Sequence, residues 1–290
     1  MAGLMFPKPL KAGDRVALIA PSGFVSPERL ELAVRGSRDI GLEPVLGRSA
    51  DARHGFLAGR DEERAADLNW AFADDSIAGI ICIRGGYGAA RILDKINYSA
   101  IAANPKVFCG YSDITALHTA INQRAGMGTS HTPVAVEFAG LDEYSRRSFM
   151  RLVFEGAADW ALENPPAYKM EHLNPGHMKG MLCGGNLSIL AASIGTPFEI
   201  ETEGKILLIE EVSEPPYRVD RMLRQLLSAG KFADCAGVVF GVFEKCESEN
   251  SPSIRELIVE LGLNVPVIFG YRFGHSLPTA SMPLGSLVYA

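Results

Sequence analysis

The sequence has no long apolar run, nothing that resembles a secretion signal and no excess of basic residues. No apolar stretch approaches the about 18 residues that a membrane-spanning helix needs. The short apolar segment near the N-terminus ends at Pro21-Ser22-Gly23, unlike a secretory leader. Basic residues number 28 against 34 acidic ones, which gives a formal charge of −6. This composition predicts a cytoplasmic protein with no nucleic-acid or membrane partner.

Cysteine pairs and metal-binding motifs are also missing. The five cysteines form no C-x-x-C pair, and their odd number and wide spacing favour free thiols in a reducing compartment. Cys82 and Cys109 lie in apolar runs and are predicted to be small core side chains. The sequence has no H-E-x-x-H motif and no cluster of aspartates. We therefore expect no metal site.

What the first half does contain is an alternation of apolar strands and helical patterns. Residues 16–20 and 77–83 are short, continuously apolar runs, as expected for strands covered on both faces. Between them, Ser26-Pro27-Glu28 predicts the start of a helix, with Ser26 as the N-cap. A second helix is predicted over 61–72. This alternation predicts an α/β domain with a parallel sheet, over residues 1–160.

The pattern changes after about residue 140. Residues 141–163 are predicted to be helical, and Asn164-Pro165-Pro166 then breaks the chain. At 290 residues, the chain is near the length at which a second domain is expected. We predict a linker over 161–178 and a strand-rich domain over 179–290.

The segment from Lys106 to His118 is the first candidate for chemistry. An apolar strand runs into Gly110-Tyr111-Ser112-Asp113, and a helix follows at once. A serine at such a turn projects its hydroxyl beyond the sheet, as a nucleophile requires. The Asp113 N–H is then placed to bind an oxyanion. Ser112 could equally cap the helix that begins at Asp113, and spacing alone leaves both interpretations open.

A glycine-rich turn, Arg84-Gly85-Gly86-Tyr87-Gly88, follows the preceding strand. Loops at the carboxyl ends of neighbouring parallel strands share one crevice, so this turn is expected beside Ser112. The alternative is a non-catalytic dinucleotide-binding protein, since Gly86-x-Gly88 begins such a fingerprint. Arg91 stands at the third glycine position and Lys106 where a ribose-binding acid is expected, which argues against that alternative.

A serine nucleophile needs a histidine base and an orienting acid. His131 and His275 lie in candidate loops, and His275 follows an apolar strand and a glycine. Glu210 ends the apolar strand 205–209, where a buried carboxylate needs a partner such as histidine. Glu211 and Glu214 are interpreted as solvated loop charges.

Taken together, six segments resemble the LD-carboxypeptidase family of serine peptidases, to which the microcin C immunity hydrolases are related. The match covers nearly the whole chain, with the motifs in the family's order. They are Gly13-Asp14-Arg15-Val16 through Ala20-Pro21-Ser22, the turns at 84–88 and 110–115, Gly184-Gly185-Asn186-Leu187, Glu210-Glu211 through Pro216-Tyr217-Arg218-Val219-Asp220-Arg221, and Phe273-Gly274-His275.

The resemblance implies a Ser112-His275-Glu210 triad and a homodimer without a cofactor. It also implies a flavodoxin-like N-terminal domain, a β-rich, barrel-like C-terminal domain and an active site between them. Gly86 and Asp113 are the predicted oxyanion-hole donors.

The substrate implied is a murein tetrapeptide, cleaved at the L,D bond before its terminal D-alanine. Hydrolysis of a peptidyl or aminoacyl nucleotide antibiotic is the alternative. Arg84, Arg218 and Arg221 are candidates for binding the terminal carboxylate, and surface or interdomain ion pairing is at least as good an interpretation of each.

Overall fold

The computed structural model describes residues 4–290 as two six-stranded sheets with helices packed on them. Residues 1–3, the start of the predicted domain 1–160, lie outside the described residues. The strands are β1 Arg15–Ile19, β2 Glu43–Leu46, β3 Gly79–Cys82, β4 Val107–Gly110, β5 Thr129–His131, β6 Glu171–Asn174, β7 Lys179–Asn186, β8 Lys205–Val212, β9 Gly237–Glu244, β10 Val267–Phe269, β11 Met282–Leu284 and β12 Leu287–Tyr289. The helices are α1 Pro27–Asp39, α2 Asp61–Ala73, α3 Tyr98–Ala103, α4 Thr115–Ala125, α5 Glu143–Met150, α6 Leu187–Ser193, α7 Pro216–Ser228 and α8 Ile254–Glu260.

The first sheet has the strand order β2-β1-β3-β4-β5-β11. Its first five strands are parallel, and β11 pairs antiparallel with β5. Alternate residues of β1 enter two different cores: Ala17 and Ile19 pack with α2 and α4, and Val16 and Leu18 pack with α1 and α5. Both faces are therefore covered, which explains the uninterrupted apolar runs. The order 2-1-3-4-5 is that of flavodoxin-like folds, and the predicted α/β class is confirmed.

The second sheet has the order β12-β7-β8-β9-β10-β6. Strands β7 to β10 are parallel, and the two edge strands are antiparallel. Helices α6, α7 and α8 pack on one face of this sheet. Its other face packs against the segment after α5 and against the last residues of the described chain. The β-rich second unit is thus confirmed.

Local signals in the sequence account for several element boundaries. Ser26 caps α1 by accepting a hydrogen bond from the Arg29 N–H, with Pro27 in the first turn, as predicted. The predicted helix over 141–163 is wrong in length. Helix α5 ends at Met150, a π-helical turn continues to Glu155, and Gly156 follows with φ of +99°. Glycine adopts such a positive φ far more readily than other residues, so the helix ends there.

The chain crosses between the two sheets more than once. Strand β6 lies inside the predicted linker 161–178 and pairs with β10. Strand β11 returns from the C-terminal part to the edge of the first sheet, and β12 then joins the second. The Asn186 N–H, at the end of β7, donates to Thr115 Oγ1 at the start of α4 (3.0 Å). The division of the chain into two domains by a linker over 161–178 stays a prediction.

The five cysteines are all free and buried, so the prediction of core thiols is confirmed. Within residues 4–290, no helix has both the length and the apolar character to cross a membrane.

Candidate active site

Ser112 stands on a sharp turn between β4 and α4. Its φ is +65°, in the left-handed region that residues other than glycine seldom adopt. Gly85 permits this turn to approach the neighbouring loop, because a Cβ on Gly85 would lie 2.9 Å from Ser112 Cβ. In the described chain, the N-cap positions of this turn and of α4 are Tyr111 and Ile114, and neither carries a side-chain cap. Ser112 thus caps no helix in the described chain, and its positive φ at a strand-to-helix turn is compatible with a nucleophile elbow.

Glu210 and His275 form a buried hydrogen-bonded pair. Glu210 lies in β8 and is fully buried, and its Oε2 is 2.6 Å from Nδ1 of His275. His275 is half-buried, in the loop between β10 and β11. Gly274 makes room for the pair, since a Cβ at that position, where φ is +121°, would lie 2.9 Å from Glu210 Oε2. Within the described residues, Glu210 Oε1 has no hydrogen-bond partner.

The charges of this pair are coupled. Burial is the largest single effect and lowers the pKa of His275, but the hydrogen bond and charge of Glu210, with the charges of Glu137 and Glu211, together raise that pKa. Burial raises the pKa of Glu210, and the hydrogen bond to His275 opposes that rise. With Nδ1 bound to the carboxylate, Nε2 is the imidazole nitrogen left to accept a proton.

Tyr111 connects the serine turn to the histidine. Its ring centroid lies 4.5 Å from that of His275, and it directly precedes Ser112 in the chain. The hydrogen bonds of residues 4–290 do not include one between the Ser112 hydroxyl and His275. Such contacts are commonly long in enzymes without a bound substrate. Through Tyr111, the structure therefore brings the three predicted triad residues into one region, from the turn after β4, from β8 and from the loop before β11.

Asp113 and Gly86, the predicted oxyanion donors, lie on two adjoining turns. The Asp113 carboxylate is buried and accepts hydrogen bonds from Ser22 Oγ (2.6 Å) and the Ala89 N–H (2.8 Å). Burial raises the pKa of Asp113, and those two bonds oppose the rise. Among residues 4–290, the Gly86 N–H has no backbone acceptor. The side chain of Asp113 thus ties the turns together, which leaves only its backbone for a ligand.

Several other predicted residues have different surroundings. His131 is buried in β5 and desolvation lowers its pKa to about 3, so it is not placed to act as a base near neutral pH. Glu211 is not solvated: it is 2% exposed and accepts bonds from Asn186 Nδ2 (2.9 Å) and the Ser188 N–H (2.8 Å). Within the described residues, no group of three histidine, cysteine or acidic side chains could hold a metal ion.

Of the three arginines considered for the substrate carboxylate, Arg84 lies in the turn beside Ser112. Its guanidinium donates to the carbonyls of Phe24 (2.9 Å) and Gly85 (3.1 Å). Arg218 and Arg221 lie on α7 against the ring of Tyr217.

Sequence reasoning placed Ser22 and Tyr111 in motifs without giving either a role, and it missed Glu137. Ser22 belongs to the turn after β1, and the convergence of loops at the carboxyl edge of a parallel sheet was the signal that could have found it. Glu137 carries no motif and reaches the site through Tyr111.

Comparisons with known proteins identify the family. Residues 16–132 match the model of the LD-carboxypeptidase N-terminal domain, and residues 179–289 match that of the C-terminal domain. The chain belongs to the LD-carboxypeptidase family. It is accordingly a hydrolase, a carboxypeptidase of the serine type, which removes the non-catalytic alternative.

Individual relatives of this carboxypeptidase are similar over nearly their whole length. A probable murein peptide carboxypeptidase of Bacillus subtilis is 40% identical over 97% of this chain and 89% of its own. The murein tetrapeptide carboxypeptidase of Pseudomonas aeruginosa is 33% identical over 93% and 91%.

Solved structures share the fold. A muramoyltetrapeptide carboxypeptidase from Oxalobacter formigenes has a TM-score of 0.81 at 28% identity, covering 95% of this chain and 94% of that one. An MccF-like protein from Bacillus anthracis has a TM-score of 0.86 at 28% identity, covering 98% and 95%.

Proposed function

We propose that this carboxypeptidase cleaves the L,D peptide bond before the terminal D-alanine of murein tetrapeptides, with Ser112 as nucleophile, His275 as base and Glu210 as the orienting acid. The observation that carries the proposal is the 2.6 Å contact between Glu210 and His275 beside a serine in a left-handed turn. Similarity to a probable murein peptide carboxypeptidase and to a murein tetrapeptide carboxypeptidase supports the choice of substrate.

The mechanism follows from the hydrogen bonds at the site. Nε2 of His275 takes the proton of Ser112 as the serine oxygen attacks the scissile carbonyl, and Glu210 stabilises the charged imidazole. The N–H groups of Gly86 and Asp113 bind the oxyanion, each worth about 3 kcal/mol of barrier. His275 then protonates the nitrogen of the departing D-alanine. Water attacks the acyl-enzyme, with His275 again as base, and releases the tripeptide.

The test is release of free D-alanine from a murein tetrapeptide. A tetrapeptide ending in L-alanine is the stereochemical control, and a microcin-like conjugate tests the alternative. Ser112→Ala is expected to lower kcat by about 10⁶-fold, and Glu210→Gln by about 10⁴-fold because the imidazole loses its correct tautomer. Circular dichroism and thermal unfolding should remain close to wild type in both variants. A Ser112→Ala enzyme with full activity would discard the assignment.

One observation favours the nucleotide-conjugate alternative as a second candidate. Phe56 and Tyr87 are exposed side by side, with ring centroids 5.6 Å apart, and Tyr87 directly follows Gly86. An exposed aromatic pair beside the oxyanion turn could stack on a nucleobase. Cleavage of the microcin-like conjugate, lost in Phe56→Ser/Tyr87→Ser, would support this candidate. Tetrapeptide cleavage alone would support the first.

We also propose that the enzyme is a cytoplasmic homodimer. The five free thiols support a reducing compartment, and the family resemblance supports the dimer. Light scattering on the purified protein tests the dimer: a mass of about 62 kDa, twice 31.2 kDa, is expected.

A further inference from the structure

Glu137 is a carboxylate at the site that the proposed mechanism does not use. Both of its oxygens are engaged: Oε1 accepts from the Tyr111 hydroxyl (2.6 Å) and Oε2 from the Val134 N–H (3.1 Å). Glu137 is half-buried and lines a cavity of about 210 Å³ together with Tyr111 and His275. The bond to Val134 fixes this carboxylate on its own turn, so its position does not depend on the substrate.

Tyr111 links Glu137 to the imidazole: its hydroxyl donates to Glu137, and its ring contacts His275. Its ring lies between two histidines, 4.5 Å from His275 at an interplanar angle of 45° and 5.8 Å from His131 in an edge arrangement. Tyr111 is 8% exposed, so the ring has little freedom to move once its hydroxyl is held. Two contacts therefore restrain His275: Glu210 holds Nδ1 by a hydrogen bond, and the Tyr111 ring packs against the imidazole ring.

We propose that Tyr111 and Glu137 are a positioning pair for His275: Glu137 anchors the Tyr111 hydroxyl, Tyr111 supports the imidazole ring, and the Glu137 carboxylate adds a second negative charge close to it. This inference rests on the proposed role of His275 as base. Neither residue touches the bond that is cleaved, so each acts through His275. A fixed ring matters because a small misplacement of a catalytic group costs a large part of the rate.

The charged and titratable groups that face His275 come from four elements. Glu210 and Glu211 lie on β8, Glu137 on the turn after β5, and His131 on β5 itself. Tyr111, after β4, completes the set. The three glutamates all raise the pKa of His275 and so favour its charged form, whereas its burial favours the neutral form. Replacing the Glu137 carboxylate with an uncharged amide that still accepts the Tyr111 hydrogen bond is therefore expected to lower that pKa without displacing the ring.

The first experiment is an NMR titration of the His275 ring, assigned by the loss of its signal in His275→Asn. Glu137→Gln keeps a hydrogen-bonding side chain of the same size and removes the charge. The His275 titration midpoint is expected to move to lower pH in Glu137→Gln and to stay at the wild-type value in Glu143→Gln, an exposed carboxylate on α5. An unchanged midpoint in Glu137→Gln would overturn the charge part of the proposal.

The second experiment separates positioning from folding by kinetics on the tetrapeptide. Tyr111→Leu is expected to lower kcat about tenfold or more with little change in KM. Tyr111→Phe, which keeps the ring and loses the anchor, should recover part of that loss. A Tyr111→Leu enzyme with wild-type kcat and an intact fold would overturn the positioning role.

The two experiments also separate this inference from the proposed function. NMR reads the ring of His275 whether or not the enzyme turns over a peptide. A wild-type protein that releases no D-alanine would reject the proposed function. A wild-type protein that is active, with variants that change neither the midpoint nor kcat, would reject the positioning pair alone.

Discussion

His118 and His131 lie beneath the Ser112 turn with ring centroids 6.3 Å apart, and both are buried. His118, in α4, contacts the Gly110 carbonyl through Nε2 (2.9 Å). Desolvation lowers the pKa of His118 to about 4 and that of His131 to about 3, from an ordinary value of 6.5. Both rings are therefore neutral in the folded protein at pH values where the unfolded chain would protonate them.

The consequence is acid sensitivity of a definite sign. Above pH 6.5, both histidines are neutral in the folded and in the unfolded protein, so they cause no loss of stability. As pH falls below 6.5, both histidines become protonated in the unfolded chain but stay neutral in the folded protein, so the free energy of unfolding decreases. The decrease ends when the folded rings themselves protonate, near pH 4 and pH 3. Each group contributes a slope of about 1.4 kcal/mol per pH unit. Together they lower the free energy of unfolding by about 5 kcal/mol between pH 7.5 and 4.5, which is comparable with the whole stability of a typical domain.

Urea unfolding followed by tryptophan fluorescence from pH 7.5 to 4.5 measures this effect. Other buried groups, including Glu210 and Asp113, titrate in the opposite sense because their pKa values are raised. The test is therefore the difference between proteins. His131→Leu removes one histidine that only the unfolded chain protonates. Below pH 6, the free energy of unfolding of this variant should therefore fall less steeply with pH, by about 1.4 kcal/mol per pH unit. His54→Leu, at an exposed histidine, should run parallel to wild type. Equal slopes for wild type and His131→Leu would refute the reasoning.

Two further substitutions test packing and the link between turns. Gly36→Ala, inside α1, should be destabilising by about 1–3 kcal/mol despite the helix propensity of alanine, because its Cβ would lie 2.9 Å from Phe138 Cβ. Gly140→Ala, with open space at that position, is the control, and equal melting temperatures would contradict the packing argument. Ser22→Ala removes the buried hydroxyl that donates to Asp113 and should cost about 1–3 kcal/mol in urea unfolding; an unchanged midpoint would show that this bond adds nothing to stability.

Local signals predicted much of the first sheet. Continuous apolar runs indicated parallel strands, and the Ser26-Pro27 pair marked the start of α1. The turn at Ser112 was predicted as a strand-to-helix junction, but the sequence could not choose between cap and nucleophile. The structure adds the backbone conformation, a φ of +65° at Ser112, and this supports the proposed nucleophile.

Long-range placement could not be predicted in the same way. Glu211 was interpreted as a solvated charge because nothing near it in the sequence shows that Asn186 and Ser188 bring donors to it from β7 and α6. Glu137 was missed because its partner, Tyr111, is 26 residues away. A carboxylate can be buried where hydrogen-bond donors surround it. When those donors come from separate elements, no periodic pattern in the sequence indicates them.

The return of β11 to the first sheet bears on how the enzyme is made. During translation, Ser112 and the parallel strands β1 to β5 leave the ribosome long before residues 282–284, which form β11. Until then, β5 presents a bare edge to other nascent chains, a known route to aggregation. His275, the proposed base, lies on this same late segment, so the peptidase is expected to stay inactive during translation and to gain activity only when its final strands have paired.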